Sequence, residues 1–331
     1  MKYGLFVYEE SNNKLINIGD YVQSIAAKQY LPKVNEFIER DHLNLYQGDE
    51  IKLIMNGWFT HIPENWPPSN KIIPLFVSFH LNNTVAEYLM SSPKIVSYFK
   101  KNAPIGCRDN DSVLRMKRAG IDAYYSGCLT TTLNHDGKLI KKNLKKSNKI
   151  LLIDILFKED IKFRIKRNYL YFFREVLNGK ILDLNKVSNY IKSLVPEENK
   201  HEIEVLTCYY DANTTHDQRF EHAHNLLEQL ASAKVVVTSR IHIALPCLAL
   251  GTPVLFVLGS KLARKDEFER LDGVVKFMNI LIEDDFDTSR IHLKGLNFLK
   301  KSEIDWDNPP KNPEGFKEVR DELVKKVTAF V

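Results

Sequence analysis

Chemistry gathers in this sequence where short apolar runs end. Residues 235–239, Val-Val-Val-Thr-Ser, read as a strand that delivers Ser239, Arg240 and His242 to its C-terminal end. In an open α/β sheet, ligands bind at the C-terminal ends of strands, where the next helix also turns unpaired N–H groups toward an anion. A guanidinium there can grip phosphate or carboxylate with two parallel hydrogen bonds, and a histidine beside it can give or take a proton. A second such edge is Ile105-Gly106-Cys107-Arg108, just before a helix. At a third, Asn17-Ile18-Gly19-Asp20 after the first strand, Gly19 permits a close backbone approach and Asp20 can cap a helix or bind a hydroxyl. His80 ends the third strand of the same half. Each residue also has a plainer reading: an arginine paired with a carboxylate, a satisfied core histidine, a helix cap.

Other chemistries lack their patterns. No GxGxxG follows the first strand, and the Gly-Lys pairs at Gly137 and Gly179 run on into Leu139 and Ile181 rather than a phosphate loop. There is no HExxH, and His222 and His224 would point about 200° apart around a helix, so no metal site is expected. Asp109-Asn110-Asp111 has the spacing with which some transferases hold a cation. Placed directly before an apolar-periodic stretch, these carboxylates read better as helix caps. Pro246 fits only the first turn of the helix it lies in, and Gly251 and Pro253 mark that helix's stop.

The elements that must position these residues follow from pattern. With 331 residues, 44% hydrophobic and 27% charged, the chain is globular and large enough for two domains. Strands are predicted at 3–8, 52–58, 72–80, 103–107 and 123–126, with helices at 19–31, 83–100 and about 109–119. The alternation resumes with strands at 149–155, 202–207, 235–239 and 253–258 and a helix at about 217–231. A Lys- and Asn-rich stretch separates the two series. The expected organisation is an N-terminal Rossmann-like domain over 1–137, a second over 138–290, and a tail over 291–331 whose terminal helix packs across both. The fold class is α/β, two such domains facing a cleft.

Charge and cysteine content bound the partners. The 47 Lys and Arg against 42 Asp and Glu leave +5, short of a nucleic-acid binder and suited to an anionic small molecule or lipid surface. Cys107, Cys128, Cys208 and Cys247 form no CxxC and sit in apolar stretches, which predicts buried free thiols and a reducing cytoplasm. No signal-peptide pattern opens the chain, and no run of about 18 apolar residues predicts a membrane span. Lys162, Lys166 and Arg167, close to Tyr169 and Phe172, read either as a solvated linker with a core-facing helix or as peripheral contact with the inner membrane face.

Four segments carry a family resemblance: Asn17-Ile18-Gly19-Asp20 with Gln23, Gly106-Cys107-Arg108-Asp109, Ser126-Gly127-Cys128-Leu129-Thr130, and Thr238-Ser239-Arg240 with His242 and Gly251-Thr252-Pro253. In this order they resemble the polysaccharide pyruvyl transferase family, over about residues 3 to 275. Asn56-Gly57-Trp58, Trp66-Pro67-Pro68 and Ser78-Phe79-His80 resemble one branch of it. The resemblance implies a fold similar to the glycosyltransferase-B architecture. It also implies transfer of pyruvate from phosphoenolpyruvate onto a sugar, nucleotide sugar or lipid-linked saccharide as a cyclic ketal, in building an exopolysaccharide. On that reading His242 is the acid/base residue. Arg108 and Arg240, with Ser239, hold the donor, and Asn17, Asp20 and His80 line the acceptor side. Phosphoenolpyruvate is a substrate, and no cofactor is implied. The competing readings are a sugar-nucleotide glycosyltransferase and a silent saccharide-binding protein.

Overall fold

The structure is a computed structural model that describes residues 1–9, 15–141, 143–157, 189–258, 268–283, 286, 288–289 and 293–331. The first half runs β1 (Lys2–Val7), β2 (Leu15–Asn17), α1 (Ile18–Lys28), β3 (Glu36–Glu39), β4 (Ile51–Phe59), β5 (Ile72–Leu81), α2 (Asn83–Ser91), α3 (Pro93–Lys101), β6 (Ile105–Cys107), α4 (Asn110–Arg118) and β7 (Ala123–Tyr125). The second runs β8 (Ile150–Ile153), β9 (Ile203–Leu206), β10 (Tyr209–Asp211), α5 (His216–Ser232), β11 (Val235–Thr238), α6 (Ile241–Leu250), β12 (Val254–Val257), β13 (Asn279–Ile282), β14 (Asn297–Lys300) and α7 (Phe316–Phe330).

Two six-stranded parallel sheets result, ordered β3-β1-β4-β5-β6-β7 and β14-β13-β12-β11-β8-β9. Counted along the chain within each sheet, both read 2-1-3-4-5-6. These are two Rossmann-like domains of one topology, each with a switch point where the strand order reverses: β1/β4 in the first, β8/β11 in the second. Every residue of β8, β11, β12 and β13 is buried, as expected of parallel strands covered on both faces. A small antiparallel ribbon joins the halves, β2 pairing with β10 through Asn17 and Tyr209, and the Ile18 N–H reaches the Cys208 carbonyl at 2.8 Å.

Local differences from the predicted elements have local causes. The single helix predicted over 83–100 is two, because Ser92 is extended and Pro93 opens α3 at a first-turn position where its missing N–H costs nothing. Pro246 does not lie in a first turn. Helix α6 starts at Ile241, so Pro246 falls in the second turn and cannot donate to the carbonyl of His242, four residues back. Strands β2, β3, β10 and β14 were not foreseen, being short or on the sheet margins, nor was β13, which lies between β12 and β14. After β14 closes the edge of the second sheet, α7 returns to the first domain. There Tyr3 donates to the Val331 carbonyl at 2.7 Å and Lys326 lies over the Tyr124 ring. All four cysteines are free and buried.

Candidate active site

The first domain's contribution begins with an irregularity in its central strands. Met55 pairs with Phe76 but Gly57 pairs with Phe79, so β5 carries one residue more than β4 across this interval, and Ser78 takes a left-handed φ of 56°. Such a bulge re-aims the side chains that follow it. The Ser126 hydroxyl braces the distortion, accepting from the Ser78 N–H at 2.8 Å. His80, two residues on, is turned to Asp109, with Nδ1 2.6 Å from Oδ2. Asp109 also caps α4, accepting from the Ser112 N–H at 2.9 Å, which is the capping role favoured over cation binding for this Asp-Asn-Asp segment. Asp111 is held by Arg115 instead. Arg108 lies beside Asp109, its Nε 3.7 Å from Oδ2, and its own N–H donates to the Phe79 carbonyl, which locks the ends of β5 and β6 together.

The second domain answers across the cleft. Arg240 is the N-cap residue of α6, and its Nε lies 3.2 Å from Oδ2 of Asp154, the residue that follows β8. The same carboxylate oxygen accepts from the Cys208 N–H at 3.1 Å, and the guanidinium rests over the Tyr209 ring at 4.7 Å. An arginine at the second sheet's switch point is thus held in place by a carboxylate and an aromatic face. His242, in the first turn of α6, brings Nε2 to 3.5 Å from Nη1 of Arg108. Gly19 at the start of α1 abuts it: a Cβ added there would lie 3.4 Å from the Cβ of His242 and 3.1 Å from Asn17 Oδ1. A side chain at this position would crowd Asn17 Oδ1 first and come into contact with His242.

The electrostatics follow from this crowding of cations. Burial first, then the charges of Arg108, His80 and Arg240, hold the His242 imidazole well below its ordinary range, so it is neutral when nothing is bound. Burial alone would raise the Asp109 carboxyl. His80, Arg108 and the Ser112 N–H together outweigh it and hold the group below the usual carboxylate range, ionised.

Arg108, Arg240, His242 and His80 therefore converge from the ends of three strands, His80 on β5, Arg108 after β6, and Arg240 and His242 after β11. Three other residues singled out from the sequence have their polar atoms engaged locally. Asn17 accepts from the Gly19 N–H as the cap of α1, and Asp20 accepts from the Gln23 amide at 2.9 Å. Ser239 donates to the Val257 carbonyl and accepts from the Leu156 N–H. Two residues of the site escaped notice, Asp154 and Tyr209. The signal for Asp154 was its place immediately after a strand of four aliphatic residues. Tyr209 carried none, since only the β2–β10 ribbon brings it under Arg240. Among the described residues no three His, Cys, Asp or Glu side chains are grouped as a metal site would need, and no helix is long and apolar enough to cross a membrane. Lys162, Lys166, Arg167, Tyr169 and Phe172 lie outside the described residues.

Two Rossmann-like domains whose strand ends bring two arginines and two histidines together define a two-domain α/β protein with a cationic cleft. The sequence model of the polysaccharide pyruvyl transferase family matches residues 17–260, and the chain belongs to that family. The matched span contains all of the residues just described. No curated protein matches the chain. Among solved structures, a protein of uncharacterised function from Klebsiella pneumoniae is similar at 14% identity and a TM-score of 0.45, over 89% of this chain and 92% of that one.

Proposed function

We propose that the protein transfers pyruvate from phosphoenolpyruvate onto a pair of hydroxyls of a sugar, closing a cyclic ketal and releasing phosphate. The acceptor is a unit of a cell-surface polysaccharide or its nucleotide- or lipid-linked precursor. The observation that carries this reading is the approach of Arg108 to His242 across the two domains, with Arg240 close enough to depress the same imidazole. Phosphoenolpyruvate has two anionic ends and a methylene carbon that must be protonated. Two guanidinium forks and an acid are the matching equipment.

His242 suits the acid role because of its environment. In the free protein its Nε2 faces an Arg108 N–H and the ring is neutral. A bound donor brings negative charge to Arg108 and Arg240, which cancels the repulsion and lets Nε2 take up the proton it then delivers to the methylene carbon. Protonation at carbon leaves an oxocarbenium-like centre for a hydroxyl to attack, and the donor's own phosphate is the leaving group. The acceptor approaches from the first domain, past the N-terminus of α1 with Asn17 and Asp20 and toward His80. The work is assigned to the cytoplasm, where phosphoenolpyruvate is available, with no metal or cofactor in the scheme.

Phosphate release from phosphoenolpyruvate, followed with a panel of galactosides and mannosides and mass detection of the adduct, tests this directly. Consumption of a nucleoside diphosphate sugar in its place, with phosphoenolpyruvate untouched, would make the protein a glycosyltransferase.

A further inference from the structure

We propose that His80 is a second catalytic residue, the base that takes the proton from the attacking sugar hydroxyl, with Asp109 as its positioning residue; this rests on the pyruvyl-transfer reading above. Three observations lead to it. First, the pair is a built unit: His80 and Asp109 are 4% and 0% exposed, and their 2.6 Å contact lies through Nδ1. An ionised carboxylate there fixes the proton on Nδ1 and makes Nε2 the basic nitrogen. Second, the carboxylate has other work and other partners. Its Oδ1 is committed to the Ser112 N–H and its Oδ2 lies near Arg108, so satisfying Asp109 did not require a histidine. Third, the ring is re-aimed by the bulge at Ser78, a left-handed residue in the middle of a parallel sheet, and backbone strain of this kind collects at functional sites. The re-aimed ring is close enough to His242 that, when protonated, it helps depress that imidazole. Among the groups near His80 are Asp109 on α4's cap, the Ser112 hydroxyl 3.5 Å from Nδ1, Arg108 beside Asp109, and His242 on α6.

The reaction has work for such a group. Phosphoenolpyruvate and a diol become a ketal and hydrogen phosphate, so two hydroxyl protons leave the sugar while one proton goes to carbon and one to the departing phosphate. His242 gives its proton to the methylene carbon, forming the C–H bond. The first hydroxyl adds to the cationic carbon, forming a C–O bond, and its proton passes to Nε2 of His80. The C–O bond to phosphate then breaks, the phosphate takes its electron pair, and His80 returns its proton to a phosphate oxygen. The second hydroxyl forms the remaining C–O bond and its proton goes to His242, restoring the acid. Two imidazoles on opposite walls of the cleft close this cycle with no proton left over, and the second lets the hydroxyl's proton leave on the acceptor side while His242 faces the methylene carbon.

The test compares His80→Gln, His80→Gly and Asp109→Asn with the wild type under saturating phosphoenolpyruvate. Glutamine keeps a donor for Asp109, and asparagine keeps the cap of α4. His80→Gln is expected to lose about 10²–10⁴-fold in kcat with the KM for phosphoenolpyruvate unchanged within about twofold, and to lose the acidic limb of the wild-type pH profile. His80→Gly is expected to regain activity with added imidazole, which should not stimulate the wild type. Asp109→Asn should show a smaller loss in kcat and a shifted limb. Quenching of intrinsic fluorescence by phosphoenolpyruvate reports that each variant is folded, and a His80→Gln that fails it leaves the imidazole rescue of His80→Gly to decide. If the wild type releases phosphate and His80→Gln keeps kcat within about threefold, or changes only the acceptor's KM, the catalytic role is wrong and the proposed function stands. Folded His80→Gly that imidazole does not rescue is equally fatal to it. A wild type that never releases phosphate from phosphoenolpyruvate overturns the function and the role together.

Discussion

The two sheets share one strand order, and each places an arginine, a carboxylate and a tyrosine at its switch point. In the second domain these are Arg240, Asp154 and Tyr209. In the first they are Arg40, Asp41 and Tyr8: Nη2 of Arg40 lies 2.8 Å from Asp41, and the guanidinium rests 5.0 Å from the Tyr8 ring. The trios are used differently. Trp58 covers Arg40 as well, also at 5.0 Å, while Asp41 accepts from the Thr60 hydroxyl and the His61 N–H. That closes the first switch point into a buried plug, with Arg40 4% exposed. Arg240, the N-cap residue of α6, stays partly open. The first domain's reactive groups come instead from the next strands over, β5 and β6, as His80 and Arg108. Topology therefore offers both crevices equally, and side chains decide which is filled and which is left to a ligand.

The sharpest way to break this contrast is at the shared wall. His242→Ala should lower kcat by about 10²–10⁴-fold with the fold intact, and near-normal turnover would remove the histidine from the chemistry. Next in size, Arg40→Ala should cost about 3–5 kcal/mol in denaturant unfolding, because it leaves Asp41 buried without its cation, yet should leave the KM for phosphoenolpyruvate unchanged. A large KM effect would mean that the first crevice is also a donor site. Arg240→Lys and Arg108→Lys invert the pattern. Stability should stay near wild type while that KM rises about 10–100-fold, since an ammonium cannot reproduce a two-bond grip.

A fourth prediction uses the depressed imidazole. His242 is neutral in the free protein, and a bound anion moves its titration back toward the ordinary 6.5, so the complex holds more protons than its parts. Donor affinity should then fall as pH rises across the acidic window between the depressed titration of the free imidazole and its titration in the complex. Calorimetry in buffers of different ionisation heat should show proton uptake that His242→Gln reduces; equal uptake in both would place the proton elsewhere. The smallest effect belongs to the acceptor side, where Asp20→Ala should raise the acceptor's KM by a few fold and leave the donor's alone, and the reverse result would move the acceptor.

How much was legible depended on whether a residue's role was set by its chain neighbours. The α/β class, the main strands and the ends carrying Arg108, Arg240 and His242 could be read directly, because alternation of apolar runs with amphipathic stretches is a local pattern and a polar residue directly after a strand has only one edge to occupy. Asp109 as a cap was legible for the same reason. The edge strand β14 and its neighbour β13 were not, since they owe their state to a sheet that forms only when distant segments meet.

By itself, the sequence determined the two-domain α/β character, the family pattern and the three residues that stand at strand ends. Only the tertiary structure decided that Arg108 meets His242 across the domains, that Asp154 and Tyr209 hold Arg240, that a bulge turns His80 onto Asp109, and that Arg40 plugs the first crevice rather than opening it. The physical reason is range. Periodicity, caps and breakers act over a few residues, whereas an ion pair, a stacked guanidinium or a shifted imidazole exists only where folding brings residues far apart in the chain within a few ångströms.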